Sequence, residues 1–376
     1  VNDNGVVNGS INGGGGIDTL TMNGLSTING NVSSIELGFI NGDATINGTG
    51  ASSILATTIL DDSSLTITGA GHNFTTATLL TFLGDGTFKV DGGATATIGA
   101  FLANNDEQSL IVSEGTLNLT VGGTLLGGND LVEIGGNGSP TATLNAGVGI
   151  DFGNGDDTLR IYNGGQLTGL GFLFGDGSDT IEFTGDGNSS FTFTDSLFFD
   201  SIVNVNVPVI GVVPVPLSVN HIVKNGSGEW TLNSPVFAAA ESLTVNEGTL
   251  NLTGNWLFTG NTINVNAGTT MNVGPGIVGN LGDTNIGLDA TLNVLNSTLV
   301  VTVGTTNLDG GTLRVNEGGG YIALTPILGS ANNDTINVHG LLGAPSIDLG
   351  AGEDRVLISG TIVTLGSLQM RDGDDI

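Results

Sequence analysis

The chain contains no cysteine, so it offers no disulfide, no thiolate nucleophile and no thiolate metal ligand. A long repeat stack needs no such staples, because neighbouring repeats bury a continuous core; a Cys-free chain also suits a protein that crosses membranes unfolded. Cations are nearly as scarce: Lys and Arg number 6 against 36 Asp and Glu, a formal net charge of -30. Such a surface repels phosphate backbones, and six cations cannot make a basic stripe, which argues against nucleic acid as a partner. Anionic membrane surfaces are disfavoured for the same reason, whereas divalent cations and basic protein surfaces are attracted. No apolar run approaches the roughly 18 residues of a transmembrane helix. Only three histidines occur, His72, His221 and His339, and none lies near a Gly-x-Ser-x-Gly elbow. Isolated histidines of this kind are read as solvated or packed side chains.

Helical periodicity is also largely missing. The best helical candidate is Ser234-Pro235 followed by Val236 to Glu241, with Ser as N-cap and Pro at the first position. What the chain has instead is 65 Gly, 38% hydrophobic residues and only 11% charged ones, a composition too apolar for a disordered acidic tail. The glycines lack the every-third-residue period of collagen. Triplets with two apolar residues flanking a polar one recur throughout, as in Leu65-Thr66-Ile67, Leu117-Asn118-Leu119, Leu159-Arg160-Ile161, Ile181-Glu182-Phe183 and Phe191-Thr192-Phe193. Period-two alternation bounded by Gly, Asn and Asp is the signature of short strands.

These triplets keep a register. Leu250-Asn251-Leu252, Met271-Asn272-Val273, Leu292-Asn293-Val294 and Leu313-Arg314-Val315 follow one another at steps of about 21 residues. Similar steps separate Asp157 from Asp179, Asp334 from Asp354, and Asp354 from Asp374. Three short strands and three turns fill such a step, and stacking the coils sets each triplet above its predecessor at roughly 4.8 Å. The spacing therefore predicts an all-β right-handed parallel β-helix, a solenoid of about 16 to 18 coils running as a single unit over 1–376. The coils of 224–315 are the most regular. Gly, Asn and Asp belong at the corners, where turns need positive φ or side-chain hydrogen bonds, and Asn at matched positions suits amide ladders. Phe172, Phe174, Phe183, Phe191, Phe193, Phe198 and Phe199 are expected to fill the interior as an aromatic stack.

One segment has a family likeness. Lys224-Asn225-Gly226-Ser227-Gly228-Glu229-Trp230-Thr231-Leu232, followed by Leu243-Thr244-Val245-Asn246-Glu247-Gly248-Thr249-Leu250, resembles the passenger-associated repeat of type V autotransporters. Glu114-Gly115-Thr116-Leu117 and Gly310-Gly311-Thr312-Leu313 echo its second half. The resemblance implies a carboxy-terminal outer-membrane barrel not contained in this chain, and export to the bacterial cell surface or release from it. It further implies adhesion, self-association or host-cell contact. On that view the chain, opening at Val1 without a signal-like segment and stopping at Ile376 inside another repeat, is expected to be a mature fragment of a longer protein.

Gly153-Asn154-Gly155-Asp156-Asp157-Thr158-Leu159 and Gly175-Asp176-Gly177-Ser178-Asp179-Thr180-Ile181 look like single copies of the nonapeptide that binds calcium in RTX β-rolls. There the half-site returns about every nine residues, and here it returns only after a full coil. The corners are therefore read as Asp and Asn capping exposed turns. Calcium held between Asp157 and Asp179 is the alternative, giving an RTX-like calcium-stabilised array. Zinc has no His/Cys cluster to hold it. A β-helical polysaccharide hydrolase is a second alternative, since such enzymes line one face with carboxylates from neighbouring coils. The six cations Lys89, Arg160, Lys224, Arg314, Arg355 and Arg371 are too scattered for a lyase of acidic polysaccharides.

Residues 204–219 break the pattern, with three prolines and hardly any polar side chain. Proline cannot donate to a central ladder, so this insertion must leave the coil as a loop or hairpin near 205–217. Pro208, Val209, Ile210, Gly211, Val212, Val213 and Pro214 are the candidate partner-binding residues. The sequence as a whole thus points to a passenger that binds without catalysis. Its expected partner is a protein or glycan on a host or neighbouring cell, or a second copy.

Overall fold

A computed structural model describes the chain apart from residues 137, 139, 140, 170, 194–200, 208–210, 261 and 372, and gives backbone alone for 201–207, 211–218 and 235–237. The expected Phe198 and Phe199 of the aromatic stack lie outside the described residues. Every described element is a strand, and parallel strands stack as a β-solenoid of about 16 coils. The contacts divide the chain into two compact units, Val1–Ile181 and Glu182–Ile376.

In the first unit, Val6–Asn8, Ser26–Asn29, Asp43–Asn47, Ser63–Thr68, Gly86–Val90, Gln108–Val112, Leu131–Ile134 and Thr158–Tyr162 pair in parallel, one strand per coil. A second parallel stack runs from Thr19–Asn23 to Gly165–Thr168. Its long members Ala51–Leu60 and Asn73–Leu83 shift register between Thr76 and Leu79, so one strand bends to serve two faces. The inward residues of the alternating triplets form the core: Leu65, Ile67, Leu117, Leu159 and Ile161 are fully buried.

The second unit is more regular, and in most of it each strand pairs with the third after it. Leu250 pairs with Met271, Met271 with Leu292 and Leu292 with Leu313, so the repeat read from the sequence is the structural register. The outward Asn residues between them form the expected amide ladders. Asn272 Nδ2 donates to Asn251 Oδ1 at 2.7 Å and Asn293 Nδ2 to Asn272 Oδ1 at 2.8 Å. A second ladder runs from Asn307 through Asn285 to Asn264, each bond 2.8 Å. Inside, Phe183 packs against Phe191, Phe193 and Trp230, and Phe193 meets Trp256 at 5.1 Å, which extends the expected phenylalanine stack with both tryptophans.

The Ser234-Pro235 helix does not form. Both residues belong to the strand Glu229–Val245, whose ladder with Thr249–Phe258 shifts register between Ser234 and Phe237. That bulge lets a proline without an N–H sit inside a strand, and removes the reason to read it as a helix start. The insertion does form a hairpin: Ser201–Val207 runs antiparallel to the first half of Gly211–Lys224, from Ser201 opposite Leu217 to Val207 opposite Gly211. It is the one antiparallel pairing among the described residues. The coil carrying it is long, as Ser227 Oγ reaches back 41 residues to donate to Asp186 Oδ1, against 21 for the Asn272–Asn251 bond.

Candidate functional site

The Gly/Asp corners are where clustered polar chemistry is to be sought in this fold, since they repeat at one edge of successive coils. Glycine is required there by close backbone approach: Gly175 has φ 80°, and a Cβ on it would overlap the carbonyl oxygen of Gly153 one coil back. In these corners Asp156 and Asp176 stay exposed, and the last aspartate turns inward. Asp130, Asp157 and Asp179 are each 1% exposed, so the corners of Asp157 and Asp179, expected to be exposed, hold buried carboxylates. They do cap, but from inside. Gln108 N–H donates to Asp130 Oδ1 at 2.7 Å, Asp130 N–H to Asp157 Oδ1 at 2.8 Å, and Asp157 N–H to Asp179 Oδ1 at 3.0 Å.

The second unit repeats the device. Gly310 N–H donates to Asp334 Oδ1 and Asp334 N–H to Asp354 Oδ1, at 2.8 and 2.9 Å. Asp354 N–H then donates to Oδ1 of Asp375, so Asp375 holds the rank that spacing alone gave to Asp374. Burial pushes Asp130 up to about 8, Asp157 to about 7 and Asp334 to about 6, and it raises Asp354 as well. Asp334 accepts on both oxygens, from Gly310 and Ser330, whereas Oδ2 of Asp130, of Asp157 and of Asp354 is buried without a partner. For the alternative calcium pair, the geometry brings Asp157 and Asp179 together, yet Asp179 Oδ1 accepts a backbone amide.

Carboxylates also gather in the open. Asp61, Asp62 and Asp85 are exposed with oxygens within 4.8 Å of one another. Beside them a cleft of about 300 Å³ is lined by Asp43, Asp62, Asp85 and Glu107 together with serine, threonine and glycine. Among the described residues, no aromatic or basic side chain lines it. Most of the trio's hydrogen bonds are structural, Asp61 Oδ1 accepting from Asp85 N–H at 3.1 Å and Asp85 Oδ1 from Glu107 N–H at 2.9 Å.

The histidines are not isolated. Each bonds a serine one coil away: His72 Nε2 to Ser52 Oγ at 2.8 Å, His221 Nδ1 to Ser242 Oγ at 2.7 Å and His339 Nδ1 to Ser359 Oγ at 2.5 Å. His72 is fully buried, and desolvation lowers its pKa. The His339 pair borders an open cleft with Asn316 and Glu317. The backbone N–H groups nearest that serine, those of Ser359 and Gly360, both donate to Val338 O at 2.8 and 2.9 Å. Both N–H groups are thus engaged in the ladder between coils. Sequence separation of about one coil hid these pairs, since no motif links residues 20 apart.

Four of the six cations make polar contacts within the structure. Lys224 is fully buried, its Nζ donating to the carbonyls of Asn225, Gly226 and Glu247 at 2.9, 2.6 and 3.0 Å, and burial pulls its pKa down to about 8. Arg160 pairs with Glu133 at 3.0 Å, Lys89 with Asp91 at 3.0 Å, and Arg371 with Asp348. Of the predicted partner-binding residues, Pro208, Val209 and Ile210 lie outside the described residues. Gly211, Val212, Val213 and Pro214 fall on the second strand of the hairpin. Comparison with models of protein families, with curated proteins and with solved structures finds no match.

Proposed function

We propose that this chain is a binding passenger of the autotransporter type, displayed on or released from a bacterial surface, with its Val/Pro-rich hairpin as the contact element. The observation that carries the reading is the antiparallel pairing of Ser201–Val207 with the first half of Gly211–Lys224, where all other described pairings are parallel. Solenoid stability needs only repeated coils, so an apolar hairpin that lengthens one coil calls for a reason outside the core. The expected partner is a protein or glycan on a host or neighbouring cell, or a second copy of the chain. Replacing residues 202–216 by a short Gly-Ser turn tests the reading. The coils should keep their β circular dichroism while binding to cells, or to immobilised copies, falls by at least about tenfold. Unchanged binding would remove the hairpin from the proposal.

A second reading is a β-helical glycan hydrolase, favoured by the cleft that gathers Asp43, Asp62, Asp85 and Glu107. Cleavage of any member of a glycan panel, lost in Asp62→Asn and Asp85→Asn, would support it. A panel left intact argues for the binding reading.

A further inference from the structure

We propose that the aspartate column through Asp130 and Asp157 is a proton-gated joint, closing the coils of residues 104–162 when its carboxyl groups are protonated and loosening them when they ionise. Both side chains are 1% exposed. One oxygen of each accepts a backbone amide from the preceding coil, at 2.7 and 2.8 Å, and the other is buried with no hydrogen-bond partner. An ionised carboxylate in that position lacks both water and a counter-charge. Every charged group acting on it is acidic: Glu107 and Asp157 face Asp130, while Asp156 and Asp179 face Asp157. Among the described residues, no Lys or Arg pairs with either.

The column also contains its own neutral control. Gln108 occupies the rank before Asp130, is 1% exposed, and donates from Nε2 to Gly84 O and Asn104 Oδ1 at 3.2 and 2.8 Å. An uncharged amide thus fits the same corner. A carboxyl group there is a titratable substitute for it, which the fold accepts without strain only in its neutral form. Asp334 in the second unit differs because two N–H groups, of Gly310 and Ser330, hold its carboxylate at 2.8 Å each.

Burial raises both folded-state pKa values, to about 8 for Asp130 and about 7 for Asp157, above the unfolded value of 3.8. The folded joint therefore binds more protons than the open one. Its stability is complete below the unfolded pKa and falls as pH rises, until the loss levels off above about 8. The local opening constant should grow about tenfold per pH unit for each group while that group stays protonated only in the closed form.

The experiment is amide hydrogen exchange on the intact chain between pH 5 and pH 9, corrected for intrinsic exchange and read at Gln108, Asp130 and Asp157. The wild type should open at least about tenfold more per pH unit up to about pH 7. The Asp130→Asn/Asp157→Asn variant, which keeps the Oδ1 acceptors and all three histidines, should show no such rise. A flat wild type, or a variant with the same slope, overturns the proposal. So does protection restored at pH 8.5 by calcium chloride alone, which would make the column a cation site. If the double variant does not fold, Asp130→Gln, which copies Gln108, takes its place and should lose the part of the slope due to Asp130.

Discussion

The backbone N–H of Asp157 donates to Oδ1 of Asp179 on the next coil at 3.0 Å, while one residue earlier the polarity reverses and Asp156 Oδ1 accepts the N–H of Ser178 at 2.8 Å. Two strings of side-chain-to-backbone bonds therefore cross the same corner in opposite directions, one inside the coil and one at its surface. Asp130 and Asn129 repeat the arrangement, with Asp130 N–H donating to Asp157 Oδ1 and Asn129 Oδ1 accepting from Asp156 N–H. The corner is a lock between coils as well as a turn.

Asp157→Ala removes the acceptor of a buried amide and should cost about 1–3 kcal/mol, the penalty for an unsatisfied buried donor. Asp157→Asn keeps the Oδ1 acceptor. In urea titrations at pH 5 the alanine variant should unfold at a clearly lower midpoint, with the asparagine variant close to wild type. Equal midpoints for the two would show that the Asp130 amide finds another partner.

Gly175→Ala tests the close backbone approach at this corner. Its φ of 80° disfavours a side chain, and the added Cβ would overlap the Gly153 carbonyl. Strain of this kind, with backbone rather than a flexible side chain as the obstacle, should cost on the order of 2 kcal/mol or more. Gly138→Ala, where φ is 84° but a Cβ would meet nothing within 4 Å, isolates the dihedral contribution. A heat-denaturation midpoint for Gly175→Ala no lower than that for Gly138→Ala would contradict the coil-contact account.

The repeat of Leu250, Met271, Leu292 and Leu313 was legible because a two-in, one-out triplet has to return in phase for the core to close. The hairpin was legible because Pro214 and Pro216 cannot sit in a central ladder. Their paired positions opposite Asn204 and Ile202 are two residues apart, so both missing donors fall on one side of the strand. The Ser234-Pro235 segment misled for a related reason: a bulge hosts proline as well as a helix start does, and only the neighbouring coil decides between them. Burial of Asp130 and Asp157 was hidden because an Asp beside Gly reads as a solvent-facing turn. Its hydrogen-bond partner is an amide of the neighbouring coil, to which single-coil patterns are blind. The Ser–His pairs were invisible for the same reason.

Asn272→Ala breaks an amide ladder in its middle. Asn272 donates to Asn251 and accepts from Asn293, so one substitution removes two bonds at a half-buried outward position. Partial solvation limits the cost to about 0.5–1.5 kcal/mol. The Asn251→Ala/Asn272→Ala pair should be less destabilising than the sum of its members, because both delete one shared bond. Strict additivity in the double-mutant cycle would deny the ladder any energetic role.

Lys224→Met is the sharpest test of how the second unit is tied together. The ammonium of Lys224 is fully buried and bridges two coils, donating to the carbonyls of Asn225 and Gly226 on its own turn and of Glu247 on the next. Methionine fills much the same volume, so the substitution isolates those bonds from packing. Losing a charged donor shared by three carbonyls should cost about 1.5–3 kcal/mol, and Lys224→Ala more, because it also leaves a cavity. The effect should appear in amide exchange at residues 225–249, where Asn246 N–H bonds Lys224 O at 2.9 Å and Thr249 N–H bonds Gly228 O at 3.2 Å. If Lys224→Met is as stable as wild type and those amides stay protected, the ammonium is a tolerated buried charge, and the turn is held by its backbone alone.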